Sequence, residues 1–201
     1  MGSGLIFYWF CWVIWVVITF FMKKDRRRTF LACWILLLIL FSNLHFTIYY
    51  YQISVSFLVF LGGTLLLHLK LPRLIFHSFI SFIVSIGYIG IVICINITPL
   101  RLFFPQLITI SVFLVILVML LTNGLLNRLG TGLFGIACGE IVYSMIMANY
   151  AIQKTIGDME FFDCVLIVIA LLLCNSLLLT LNRKIYILMS ITRHSIRQRA
   201  C

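Results

Sequence analysis

After Asp163 the chain runs CVLIVIALLLCNSLLLTLN, and no charged residue follows until Arg183. One bilayer crossing takes about 20 predominantly apolar residues as a helix. In lipid the backbone must satisfy its own polar groups, so a run like this one is helical or belongs to a closed barrel. Comparable runs recur, and the reading gives seven spans at residues 4–22, 29–48, 51–69, 74–96, 106–122, 131–151 and 161–181. None alternates apolar and polar residues with a period of two, as barrel strands of ~10 residues would. Apolar residues make up 64% of the 201 and charged residues 10%, against about a quarter charged in soluble domains. The expected fold is therefore all-α, a polytopic transmembrane bundle. It is a single domain over 1–181 followed by a basic tail over 182–201, and the length leaves no room for a soluble domain.

Orientation follows from the cations. Lys23, Lys24, Arg26, Arg27, Arg28, Lys70, Arg73, Arg128 and the tail residues Arg183, Lys184, Arg193, Arg197 and Arg199 fall on one side of the seven-span scheme; Arg101 and Lys154 fall on the other. The positive-inside rule then puts the N-terminus outside and the C-terminus in the cytoplasm. The net charge of +10 is explained by this topology and by attraction to anionic lipid heads at the cytoplasmic face. No nucleic-acid-binding pattern accompanies it, so no nucleic-acid partner is expected. The basic cluster follows the first apolar run instead of preceding it, which marks an uncleaved span and not a signal peptide. The boundary between the second and third spans is the least marked. SNLHFTIYYYQ holds no charge, Gly or Pro, and Tyr49, Tyr50 and Tyr51 look like an interfacial aromatic belt.

Most chemistry is excluded by spacing. His68 and His77 flank one short loop without a nearby carboxylate, a poor ligand set, so no metal is expected. The seven cysteines are scattered, without C-x-x-C, and read as small buried apolar residues. No phosphate-cradling glycine loop and no nucleophile motif is present, so no cofactor and no enzymatic activity is expected.

One acid interrupts an apolar run. Glu140 lies in GLFGIACGEIVYSMIMANY, residues 132–150, where a charge at mid-membrane costs about 2.5–3.5 kcal/mol on insertion scales. No Lys or Arg lies within any span, so Glu140 is expected as a neutral, hydrogen-bonding acid facing other helices. Candidate partners at similar depth are Ser85 and Tyr88 on the fourth span, Thr64 on the third and Asn175 on the seventh. Asn175 is favoured because a short loop makes the sixth and seventh spans antiparallel neighbours. Gly135 and Gly139 form G-x-x-x-G beside the acid, a spacing that lets another helix backbone approach. Two readings stay open: interhelical glue, or a protonatable group on an ion or substrate path. Ser78, Ser81, Ser85 and Tyr88 also line one face of the fourth span, as a packing seam or a polar cavity lining. The stretch 182–200 places Ile185, Leu188, Met189 and Ile196 opposite Arg193, His194 and Arg197, as an interfacial helix or a solvated basic tail.

Two familiar seven-span patterns do not fit. The last span lacks the Schiff-base Lys of retinal-binding rhodopsins, and the halves show no repeat of the SWEET sugar-transporter kind. The chain instead resembles the YphA-like group of small integral membrane proteins from Bacillus-type bacteria. The likeness lies in FYWFCWVIWVVITFFMKK at the start, in overall length, and in the spacing of spans through to the basic tail. The resemblance implies a multi-pass protein of a bacterial cell membrane, in organisms that form endospores, and carries over no active-site residues. The expected function is interaction or assembly with a membrane protein partner. The alternative is a small transporter or proton-coupled permease that uses Glu140.

Overall fold

Each apolar run folds as a helix, and each break between runs carries residues that end one. The computed structural model describes residues 4–48, 51–97, 105–150 and 155–199. Tyr49, Tyr50, Arg101, Lys154 and Cys201 lie outside the described residues. Seven helices follow in order: α1 Leu5–Phe21, α2 Arg26–Leu40, α3 Val55–Leu69, α4 Leu74–Ile97, α5 Gln106–Leu121, α6 Leu125–Asn149 and α7 Met159–Arg199. Met22 turns extended ahead of Lys23 and Lys24, and Pro72 with left-handed Arg73 (φ 59°) makes the α3–α4 turn. Pro105, with φ fixed near the helical value and no amide proton to lose, sits just ahead of α5. Gly124 (φ 91°) and Gly157 (φ 73°) supply the left-handed backbone ahead of α6 and α7.

The second span differs from its expected bounds. Its helix stops at Leu40, and His45–Ile48 (β1) pairs antiparallel with Tyr51–Ser54 (β2) before α3 starts at Val55. The reason is local: the aromatic and β-branched residues of HFTI and YQIS favour strand, and hairpin pairing satisfies backbone groups that have left a helix. Ile156 adds a parallel bridge to Ile53, with its amide donating to the Gln52 carbonyl at 2.8 Å. The hairpin and Ile156, just ahead of α7, therefore close one end of the bundle together. α6 begins at Leu125, ahead of the expected 131, and α7 continues as one helix through residue 182 to Arg199.

Length separates the helices into two groups. Leu74–Ile97, Leu125–Asn149 and Met159–Asn182 are long and apolar enough to cross a membrane. At 1.5 Å per residue they reach ~36 Å, against a hydrocarbon core of ~30 Å. Leu5–Phe21, Arg28–Leu40, Val55–Leu69 and Gln106–Leu121 are shorter apolar helices, with rises below that thickness.

α6 is the centre of the bundle, packing on α4 most extensively and also on α3, α5 and α7. Its buried face includes Gly132, Gly135, Ile136, Ala137, Gly139, Glu140 and Tyr143. At the closed end, Phe7, Phe57, Phe60, Phe161 and Phe162 interlock edge-on or tilted, with ring centroids 5.0–5.9 Å apart. α1 lies at the rim and buries Phe7, Cys11 and Ile18.

Candidate functional site

Glu140 has no exposed surface. The Tyr88 hydroxyl donates to its Oε2 at 2.5 Å, joining α4 to α6. The glycines explain why α4 is the helix that supplies this partner. A Cβ on Gly135 would lie 2.6 Å from the Ser81 carbonyl oxygen and 2.9 Å from Val84 Cβ. A Cβ on Gly139 would lie 2.9 Å from Tyr88 Cδ1 and 3.2 Å from the Ser85 carbonyl oxygen. Real Cβ atoms do not come as close to a backbone oxygen as at Gly135, so glycine there lets the two helix axes come together, and a Cβ at Gly139 would push on the Tyr88 ring and the Ser85 carbonyl. At that separation the phenol of Tyr88 spans the gap to Glu140.

The serine line on α4 joins neighbouring helices. Ser81 Oγ donates to the Thr131 carbonyl on α6 at 3.0 Å, and Ser78 Oγ lies 3.1 Å from His68 Nε2 on α3. Ser85 approaches α6 through its backbone. Thr64 donates to Leu61 within its own helix at 3.0 Å.

Asn175 is placed elsewhere, and the expectation that it meets Glu140 is corrected. The Tyr88 ring packs edge-on against Phe161, centroids 6.4 Å apart, so the level of the acid on α7 is the first turns of that helix. Cys164 there lies within electrostatic reach of Glu140. Asn175 is three turns further along α7, ~16 Å from Cys164 by helical rise, and is partly exposed. Position along an apolar run does not fix depth against a neighbour, because the register is set by how α6 and α7 pack.

Further polar residues surround the pair. Asn96 Nδ2 donates to the Tyr143 hydroxyl at 3.0 Å, one helical turn beyond Glu140 on α6. Ser111 on α5 donates to the Leu107 carbonyl at 2.7 Å, and its Oγ lies 3.4 Å from Cys164 Sγ. Tyr143 was legible as the i+3 neighbour of Glu140; Ser111 and Cys164 carried no signal, because one Ser and one Cys in apolar runs are unremarkable. Where α4 ends and α5 and α7 begin, a cavity of about 230 Å³ reaches Tyr88 and Cys164 from a mouth that includes Gln106 and Glu160.

Asp163, at the head of the last apolar run, is a second buried acid. Its Oδ1 accepts from the Phe7 amide at 2.7 Å and its Oδ2 from the Gly4 amide at 3.1 Å. The first turn of a helix leaves amide donors without intrahelical partners and carries the positive end of the helix dipole. α7 thus caps α1 with a carboxylate, and the position of the acid at the head of an apolar run gave no hint of that partner. Among the described residues no group of three or more His, Cys, Asp or Glu could hold a metal ion.

Apolar helices long enough to cross a bilayer, packed by glycine seams around a small polar centre, define a helical integral membrane protein. The family model described as YphA-like integral membrane protein matches residues 3–199, and the chain belongs to that family. No curated protein and no solved structure matches the chain.

Proposed function

We propose that the protein is a non-enzymatic, multi-pass component of a bacterial cell membrane that acts by assembling with another membrane protein. In this reading all seven helices cross, with the N-terminus outside and the C-terminus in the cytoplasm. The four shorter helices are accommodated by bilayer thinning and by interfacial residues at their ends. Lys23, Lys24, Arg28, Lys70 and Arg73 then face the anionic lipid heads of the cytoplasmic leaflet.

The observation that carries assembly is the outward face of α1. Trp9 and Trp12 are 69% and 51% exposed, and with Val13 and Val16 they line an apolar groove along the helix. Trp12 falls near the middle of α1, away from the interfacial depth where tryptophan is enriched. An indole N–H is a donor with no acceptor in hydrocarbon, whereas a partner helix offers both a carbonyl or hydroxyl and a surface for the rings. Crosslinking with mass spectrometry on native membranes tests this. A stable partner crosslinked next to α1, and lost in Trp9→Leu/Trp12→Leu at unchanged membrane level, is the expected result. Crosslinks to lipid alone would refute it.

A second reading is favoured by the cavity that reaches Tyr88: a small permease in which Glu140 takes up and releases a proton. Glu140→Gln keeps a hydrogen-bond acceptor for Tyr88 but cannot titrate. Unchanged cellular function in this variant, at normal membrane level, would remove the proton-carrying role and leave the structural one.

A further inference from the structure

The cavity between α4, α5 and α7 has a chemistry of its own. Its volume of about 230 Å³ equals seven or eight waters at ~30 Å³ each, below the ~300–1,000 Å³ typical of drug-sized pockets. It therefore suits a single ring or a short chain. Val92 and Ile110 give it apolar walls. Apart from the Gln106 amide at the mouth, which both donates and accepts, and the weakly donating Cys164 thiol, its polar side chains present acceptors. The proton of Tyr88 is committed to Glu140 Oε2, so the phenol oxygen offers a ligand lone pairs only. Behind it the Ser111 hydroxyl is turned onto the Leu107 carbonyl. Glu160 brings a carboxylate to the mouth, and the rings of Tyr88 and Phe161, at 85° to one another, present aromatic surface beside it. Among the described residues no Lys or Arg lines the space.

We propose that this cavity binds a small organic cation, a protonated amine on a compact apolar body. Such a ligand donates to the acceptors that the site presents, and its charge sits against aromatic faces in a low-dielectric setting where cation–π attraction is strongest. Glu160 draws it in, and the Glu140 carboxyl lies behind Tyr88. An anion would meet the Glu160 carboxylate at the mouth and no Lys or Arg among the described lining residues. A neutral apolar molecule would fill the walls but leave the acceptors without a donor, a desolvation cost. The inference shares its cavity with the permease reading, but concerns binding alone; it can fail while proton transport stands, and the reverse.

The test is thermal unfolding of the full-length protein in lipid nanodiscs with three probes of one shape: benzylamine, benzyl alcohol and benzoate, at pH 7. Benzylamine is expected to raise the unfolding temperature saturably, with an apparent affinity at least tenfold above that of benzyl alcohol, and benzoate to have no effect. Ile110→Trp, which fills the cavity, should abolish the benzylamine effect. Glu160→Gln, a near-isosteric change at an exposed position, should weaken benzylamine at least fivefold and leave benzyl alcohol unchanged; it decides the matter if Ile110→Trp does not fold. Equal effects of amine and alcohol, an effect retained in Glu160→Gln or in folded Ile110→Trp, or no effect of any probe overturns the proposal.

Discussion

α6 and α1 invert the rule familiar from soluble proteins. α1 is the more apolar of the two, LIFYWFCWVIWVVITFF without a charge, and it lies at the rim with Trp9, Phe20 and Phe21 outward. α6 carries four glycines, an acid, a tyrosine and hydroxyl groups, and it packs on α3, α4, α5 and α7. Water would drive α1 inward; lipid has no such preference, because acyl chains are as apolar as leucine. What brings helices together in lipid is close backbone approach and hydrogen bonding across the gap. Small and polar residues therefore mark the inside, and large apolar ones the outside.

Breaking α6 should cost most. Gly135→Val forces a side chain onto the Ser81 carbonyl and Val84, and overpacking of this kind costs about 1–3 kcal/mol or more. The expected outcome is a lowered unfolding temperature in detergent and reduced membrane level. Gly62→Ala on α3 is the contrast, because nothing lies within 4 Å of its added Cβ; the same assay should find it neutral or slightly stabilised, by up to ~1 kcal/mol. Equal losses in the two variants would dissolve the distinction between seam and rim glycines.

Next in size is Glu140→Ala, which leaves the buried Tyr88 hydroxyl without its acceptor at a cost of about 1–3 kcal/mol. In a double-mutant cycle with Tyr88→Phe the two changes should be non-additive, since either one removes the same hydrogen bond. Additive losses would mean that the pair does not act as a unit. Asp163→Ala tests the attachment of α1 to the bundle. Loss of the carboxylate that caps α1 should cost about 0.5–2 kcal/mol, and hydrogen exchange should speed up at the first turn of α1 with little change in α6. Acceleration spread evenly over both helices would argue that α1 is not a separately anchored element. Smallest is Trp12→Leu, an outward apolar exchange, expected within ±0.5 kcal/mol of the parent in unfolding experiments; a large loss would mean that α1 is packed more tightly than its exposure indicates.

Much of the architecture was legible because hydrophobicity is additive along the chain. Seven apolar runs gave seven helices, and the breaks at Pro72, Pro105 and Gly124 follow from backbone chemistry confined to those residues. The run over 29–48 misled because HFTI is as apolar as a helix end, and what turns it into a strand is pairing with YQIS, a contact outside a sliding window. Glu140 stood out for the same additive reason, as one polar residue in an apolar run. Gly135 and Gly139 could be read as a close-packing face without naming the helix they receive.

By itself the sequence determined a membrane environment, a helical fold, the segments that form the helices and the acid that needs a partner, since each follows from the transfer preference of a segment between water and lipid. Only the tertiary structure decided that the partner is Tyr88 and not Asn175, that Asp163 is buried as the cap of α1, and that a cavity ends at the Tyr88–Glu140 pair. Those depend on the rotation and depth of each helix against the next. In lipid these are set by shape and hydrogen bonding between residues far apart in the chain, not by how apolar either segment is.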